Sequence, residues 1–462
     1  KKKFKRKFIM INFYYDRVID GVPIPNGIPK NFTKYYTPIF NDVHLRKEQN
    51  VEPAVYPSDM RQENLCHLKS INTLDENEKD FSGYYLIEGF GSAKNAMGIN
   101  QENDDVYSSV FDYIDKKTLK LLQNGVLKLC ICYLQESFIT DDIIHAIHHN
   151  TKRLNIQNSI VIVNDFLAQE RYENWCDTIG DEIRFKTIVF CHSLVQKSYE
   201  INGLLNKKEI YHMASDYEKH NSSVISIDEF YETKNTLRKN SILCMNRRMR
   251  EHRLATLCLL SKHNLVKDNG VSFQFTIDSQ FVVEGVINDN KRYNDYRLEY
   301  DKLRKMKYQY VDYPIALEAK DGVNHGYGWE NKRPYLDSYL NITTETDFIN
   351  PTGYASEKVW KPFGFFQPVL LVGSQGTLEF IRSFGFKTFD GFIDESYDKE
   401  KDNVKRFELI EKEIIKFSKM SKQEVHDWYW SMEDILVHNF NLFKDYGSNR
   451  YEQYVKMFKE LK

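Results

Sequence analysis

No stretch of the sequence approaches the ~20 consecutive apolar residues that a membrane-spanning helix needs, and no secretory-signal core is visible. The 64 Lys and Arg are offset by 66 Asp and Glu, leaving a formal charge of -2. No overall field therefore draws the chain to nucleic acid or to an anionic membrane, and neither is expected as a partner. The 7 cysteines include no C-x-x-C pair, which removes the usual zinc spacing. Odd in number and mostly inside apolar runs, they are expected as reduced thiols in a cytoplasmic compartment. No Asp-x-Asp follows an expected strand, so no metal site is expected. The turn Gly373-Ser374-Gln375-Gly376 lacks the Gly-Lys-Ser/Thr ending of a phosphate loop and reads as a strand–helix connection. The opening run KKKFKRK reads as a solvated tail or the cut edge of a longer protein.

What is present is a chain of 462 residues with 41% apolar and 14% aromatic content. That is too long for one compact core and suits two domains. Residues 16–82 are loop-rich and broken by six prolines,. Phe8–Phe13, Tyr84–Glu88, Val126–Tyr133, Ser159–Val163 and Ile183–Val195 read as strands. Helices are expected over Thr140–Leu154, with Thr140 as N-cap, and near 168–179. A polar stretch, Tyr211–Lys239, follows. The alternation then resumes with strand Ser241–Met245, helix Leu254–Leu265, a charged, Tyr-rich excursion over 285–335, strand Ser338–Thr343, a helical run from Glu357 to Phe366, strand Pro368–Val372 and a helix stopping near Gly385. Alternation of this kind implies parallel sheets. The expected class is α/β, two Rossmann-like lobes facing across a cleft, with C-terminal helices. The expected domains are 1–237, 238–420 and 421–462. In the last, Ser421 and Glu424 form a capping box. Phe407, Ile410, Ile414 and Phe417, then Val425, Trp428, Met432, Ile435 and Leu436, are packing stripes.

Ligands of open parallel sheets bind beyond the carboxyl ends of the strands. Two clusters lie there. Asn246–Arg253 carries Arg247, Arg248, Arg250, His252 and Arg253 from a strand end into a helix, where guanidinium forks and helix amides suit a diphosphate. If the helix starts near Arg250, then Arg250 and Arg253 share a face. Ser356-Glu357-Lys358 is the second. Ser356 can cap a helix, Glu357 can accept both hydroxyls of a ribose, and Lys358 can reach a phosphate. Pro362 makes the helix that follows either bent or short. His145, His148 and His149 share one helix at zinc-compatible spacing. With no acid or cysteine nearby in sequence, they read as a solvated face.

The strand–Asn–Arg–Arg…Arg run of Leu243–Arg253, followed by Tyr-x-Ser-Glu-Lys-x-Trp-Lys-Pro over Tyr354–Pro362, resembles the donor lobe of the α1,3-fucosyltransferase family. The text from Gln367-Pro368 to Asp398 is similar to glycosyltransferase-like proteins of phages and large viruses. The resemblance spans residues 240–400. It implies a GT-B-type arrangement, Arg253 or Arg247 on a diphosphate, Tyr354 and Glu357 on the nucleoside or sugar, Lys358 on the β-phosphate, and Glu345 as an acid of the segment before the motif. An Asn-Pro-Thr-Gly turn within Thr346–Ala355 departs from the family's pattern and leaves sugar and base open.

The expected activity is transfer of a sugar from a nucleoside-diphosphate sugar, GDP-linked and fucose-like, to a hydroxyl of a glycan or glycoconjugate acceptor. Cationic side chains would neutralise the leaving diphosphate, so no metal and no bound cofactor are called for. An inverting displacement needs one general base. Glu136, Asp165 and Glu88, each following an N-terminal strand, are the candidates in that order. Two other readings stand beside it: a glycosyltransferase acting on modified DNA bases, and a catalytically silent nucleotide- or sugar-binding protein. The compartment is expected to be cytoplasmic, the host's if the gene is viral.

Overall fold

A computed structural model describes residues 11–15, 17–19, 22–24, 66–75, 77, 79–88, 109–133, 139–191, 193–195, 198, 225–246, 249–267, 269–273, 280–305, 332–449, 453, 456 and 460. The chain divides into two units, residues 1–192 with 449–462, and residues 193–448. The passage at His192–Ser193 lies upstream of the 237/238 division read from the polar stretch, and the helices through Ser448 belong with the second unit.

The strands of the first unit are β1 (Ile11–Tyr15), β2 (Arg17–Ile19), β3 (Val22–Ile24), β4 (Cys66–Ser70), β5 (Gly83–Glu88), β6 (Leu127–Tyr133), β7 (Ile160–Val163) and β8 (Lys186–Val189). Six of them form a sheet in the order β4-β1-β5-β6-β7-β8, with every adjacent pair parallel. β7 is buried at all four positions, as a strand covered on both faces must be,. Gly83, at φ +158, sits where a Cβ would lie 2.3 Å from the Asn12 carbonyl oxygen, so only glycine lets β5 enter beside β1,. Helix Asp141–Arg153 buries Ile143, Ile144 and Ile147, and helix Ala168–Ile179 buries Tyr172 and Cys176. Thr140 occupies the N-cap without a side-chain cap bond.

The second unit contains β9 (Asn240–Met245), β10 (Gly270–Ser272), β11 (Ser338–Thr344) and β12 (Val369–Val372) in the order β10-β9-β11-β12, again all parallel. The α/β reading with two parallel, Rossmann-like sheets is borne out. β9 is followed by β10 on one side and, later in the chain, by β11 on the other. The order therefore reverses between β9 and β11, which is the switch point where such sheets bind ligands.

Several elements were not legible in the sequence. β4 and the β2–β3 hairpin lie inside the proline-rich stretch. The charged excursion holds the helix Asn290–Lys305, which buries Tyr296, Glu299, Tyr300 and Leu303. Arg292 on that helix reaches Glu408 and Glu411, both at 2.5 Å. The expected single C-terminal helix after Ser421 is two, Lys422–Trp430 and Glu433–Ser448, although the Ser421–Glu424 capping box forms as read. The helical run from Glu357 is α-helical only to Trp360 and continues as a 3-10 turn, Lys361–Phe365, containing Pro362. The turn closes on Phe366 at φ +53. Proline thus shortens the helix rather than bending it. No helix among the described residues is long and apolar enough to cross a membrane.

Candidate functional site at the switch point of the second sheet

β9 ends at Met245 and β11 at Thr344, so Asn246 and Glu345 each follow a strand end at the reversal of strand order. Asn246 is buried. Its N–H donates to the Ser272 carbonyl at 3.1 Å, its side-chain oxygen accepts the Thr344 hydroxyl, and its amide nitrogen lies 3.3 Å from Cys244 Sγ. It laces three strand ends together, and those bonds account for its presence without a ligand.

Helix Glu251–Lys262 starts here, with Arg250 as its N-cap residue. Its Leu254, Ala255, Leu257, Cys258, Leu259 and Leu260 are all buried, which draws the first turn tight against the sheet,. Arg250 is exposed and Arg253 is buried, so the two share spacing but not environment. Arg253 donates to the Glu345 carbonyl oxygen from Nε at 3.2 Å and from Nη2 at 2.7 Å. Burial lowers its pKa, opposed by the nearby charges of Glu345 and Glu357. His252 donates to the same oxygen from Nε2 at 2.9 Å. A carbonyl can only accept, so Nε2 carries the proton. Burial pushes the His252 pKa down to about 3, which keeps the ring neutral. Phe348 stacks on His252 at 5.4 Å between centroids, and the Arg406 guanidinium lies 4.4 Å from the Phe348 centroid.

Glu345 is 1% exposed. Oε1 accepts the Ser356 backbone N–H at 2.7 Å and Oε2 accepts that of Thr346 at 2.7 Å. Burial raises its pKa, and the positive charge of Lys358 works against that. Gly373, just past β12, lies close to Glu345, since a Cβ on that glycine would stand 3.3 Å from Glu345 Cβ. This carboxylate is what places the Ser-Glu-Lys turn at the strand ends.

Ser356 is buried and caps the short helix, accepting the Lys358 N–H at 3.3 Å. Lys358 Nζ lies 3.0 Å from Glu357 Oε1 and 3.3 Å from Ser356 Oγ. Both charged side chains are about a third exposed, at 33% and 32%. Tyr354 is 3% exposed and faces the interior. The site thus separates into solvent-reachable charges (Arg250, Glu357, Lys358) and a buried frame (Asn246, His252, Arg253, Glu345, Tyr354, Ser356). Arg247 lies outside the described residues.

The candidate bases fare unequally. Glu136 lies outside the described residues, and Glu88 is described only as the last residue of β5. Asp165 is described, and its carboxylate is occupied. It is 0% exposed, with Oδ1 accepting the Leu167 N–H at 3.0 Å and Oδ2 accepting Arg171 Nη1 at 2.8 Å. A buried, doubly engaged carboxylate has the character of a structural anchor, which counts against Asp165 as a base.

The histidine reading needs correcting too. His148 is buried, not solvated. Its Nδ1 pairs with the Tyr172 hydroxyl at 2.8 Å, its Nε2 with Asp181 Oδ2 at 3.1 Å, and Cys176 Sγ lies 4.0 Å from Nδ1. The acid and the thiol come from the neighbouring helix and the turn after it, which sequence spacing along one helix does not reveal. With Cys176 at 0% exposure and its pKa raised by burial, the group is a satisfied interior network rather than a nucleophile,. Among the described residues no set of three His, Cys, Asp or Glu side chains is placed to hold a metal.

The acids Glu395 and Asp398 have structural roles. Asp398 accepts the N–H groups of Leu378 at 3.0 Å and Glu379 at 3.2 Å, closing the start of helix Thr377–Ser383. Those amides are already spoken for, so the Gly373–Gly376 turn is a connection, as read. Glu395 gathers Arg382, Thr388 and the Phe389 N–H.

No protein-family model and no curated protein matches the chain. Among solved structures it is similar to the N-terminal domain of Candida albicans trehalose-6-phosphate phosphatase, at 9% identity over 98% of each chain with a TM-score of 0.35. It is also similar to a trehalose-6-phosphate structure from E. coli bound with UDP-2-fluoro glucose, at 11% identity over 84% of this chain and 86% of that one, TM-score 0.32. The UDP-forming α,α-trehalose-phosphate synthase of Burkholderia vietnamiensis gives 8% identity, 74% and 71% coverage and a TM-score of 0.30. At such scores the likeness carries no argument about chemistry, which rests on the residues themselves.

Proposed function

We propose that this protein is a GT-B-type glycosyltransferase whose second unit binds a nucleoside-diphosphate sugar. The observation that carries the reading is the Glu345–Ser356 bond, which sets the Ser356–Lys358 turn beside the start of helix Glu251–Lys262 at the sheet's switch point. Lys358 and Arg250 would meet the diphosphate there. Glu357 would take the ribose or sugar hydroxyls once Lys358 turns from it to the phosphate. Arg253 supports this charge from behind the Glu345 carbonyl rather than as the first contact.

The donor we infer is GDP-linked and fucose-like, because the Tyr-x-Ser-Glu-Lys text resembles that family's. The acceptor is a hydroxyl of a glycan or glycoconjugate, and the site of action is the cytoplasm. Cations in place of a metal would stabilise the leaving diphosphate, and inversion would follow from a single displacement. Glu136 is the proposed general base, with Glu88 next. Glu136→Gln should abolish transfer while leaving donor affinity by calorimetry unchanged; full retained activity removes Glu136 from the mechanism. Incubation with GDP- and UDP-sugars, with and without chelator, reads donor choice and metal dependence together. A protein that binds nucleotide yet neither transfers nor hydrolyses any donor would instead be the silent binding protein.

A further inference from the structure

The chain enters the second unit at Ser193 and leaves it after Ser448. Within that unit the entering segment is fastened both to the proposed donor turn and to the last helix. Ser193 Oγ donates to the Ala355 carbonyl at 2.9 Å and accepts the indole Nε1–H of Trp360 at 3.1 Å. One hydroxyl therefore holds the residue before the cap Ser356 and the last residue of the helix that Ser356 begins. Ala355 is 1% exposed and Trp360 is 0% exposed. Removing the hydroxyl takes a partner from two buried polar groups, a loss water does not readily make good.

Farther along, Ser198 is fully buried and donates its hydroxyl to the Phe443 carbonyl on helix Glu433–Ser448. A Cβ on Gly447 would stand 2.7 Å from the carbonyl carbon and oxygen of Ser198. The segment and the helix thus approach at backbone contact, a fit that tolerates no added methyl group. The passage into the second unit and the passage out of it are locked together, and Ser193 ties that lock to Ala355–Trp360.

We propose that Ser193 is a positioning residue for the donor turn, holding Tyr354–Trp360 to the entering segment that Ser198 and Gly447 fix against the last helix. This rests on the donor reading above. Ser193 does not touch the donor; it sets the turn that carries Glu357 and Lys358. Through it, a disturbance of the entering segment reaches the turn without passing through the sheet.

The test uses the full chain with Ser193→Ala, Ser193→Thr and Gly447→Ala, GDP and UDP as calorimetric probes, and amide hydrogen exchange. Ser193→Ala should weaken nucleotide binding roughly tenfold. Exchange should rise over Tyr354–Trp360 while helix Asn403–Ser418 stays protected. Ser193→Thr, which keeps the hydroxyl, should restore both. Gly447→Ala should shift affinity in the same direction as Ser193→Ala, although it touches only the far end of the segment. Wild-type affinity in Ser193→Ala, or increased exchange spread evenly over the unit, overturns the assignment of Ser193 alone. Failure of the wild-type protein to bind either nucleotide sinks the donor reading, and this one with it.

Discussion

The carboxylate of Glu345 and the backbone N–H of Ser356 meet at 2.7 Å in the interior of the second unit. The bond joins the end of β11 to the cap of the helix that presents Glu357 and Lys358. Because the second carboxylate oxygen takes the Thr346 N–H, Glu345→Gln would turn one acceptor into a donor facing an amide. The expected cost is about 1–3 kcal/mol in urea unfolding, together with weaker nucleotide binding. Unchanged stability and affinity would show that the turn holds its place without the carboxylate.

Asp165 should behave as a structural residue. Asp165→Asn takes the buried charge partner from Arg171, which keeps Asp141 and the Ile139 carbonyl, so the expected cost is about 1–3 kcal/mol,. The melting temperature should fall, and any activity retained per folded molecule should match the wild type. A variant that melts normally but has lost transfer would return Asp165 to the list of bases.

The strands of both sheets were legible where β-branched runs ended in polar residues. Ser159–Val163 and Ser338–Thr343 are nearly the observed β7 and β11. β4 was not, because Cys66-His67-Leu68-Lys69-Ser70 alternates weakly and lies inside the stretch broken by prolines. The helix Asn290–Lys305 was hidden because most of what it buries is Tyr and Glu, with Leu303 as its single buried aliphatic side chain. For the site, the residues singled out at two strand ends and at the Ser-Glu-Lys turn lie near one another in the structure, joined through Glu345. What the sequence could not show was which residues face inward. Glu345, Tyr354 and Arg253 carry charge or hydroxyl groups that read as ligand contacts, yet they are buried frame. His252 was read only as part of a basic cluster; burial keeps it neutral, and the carbonyl it donates to belongs to Glu345, 93 residues away in sequence.

Asp398 gives a pH signature. Its pKa is raised by burial from 3.8 to about 6. A carboxyl that binds its proton more tightly when folded contributes stability that is present below its unfolded value and lost as the pH rises through the folded one. The window here runs from about 4 to 6, with a magnitude on the order of 3 kcal/mol at 1.36 kcal/mol per unit. Subtracting the urea-unfolding profile of Asp398→Asn from that of the wild type should isolate a decline across this window. A flat difference would mean that the cap on Leu378 and Glu379 keeps the carboxylate ionised throughout.

Lys358 is about a third exposed, its hydrogen bonds stay within its own turn, and its charge also favours the buried Glu345 carboxylate. Its replacement by alanine should leave the fold intact, at a cost of about 1 kcal/mol in unfolding. Nucleotide affinity should fall at least tenfold, with a weaker dependence on salt.

Calorimetric titration of the wild-type chain with GDP and UDP tests the account most directly, with a thermal scan at saturating nucleotide beside it. The account predicts one saturable site, a rise of several degrees in melting temperature at ~100 times the Kd, and loss of both in Lys358→Ala. Neither heat nor a thermal shift with any nucleoside diphosphate would contradict it.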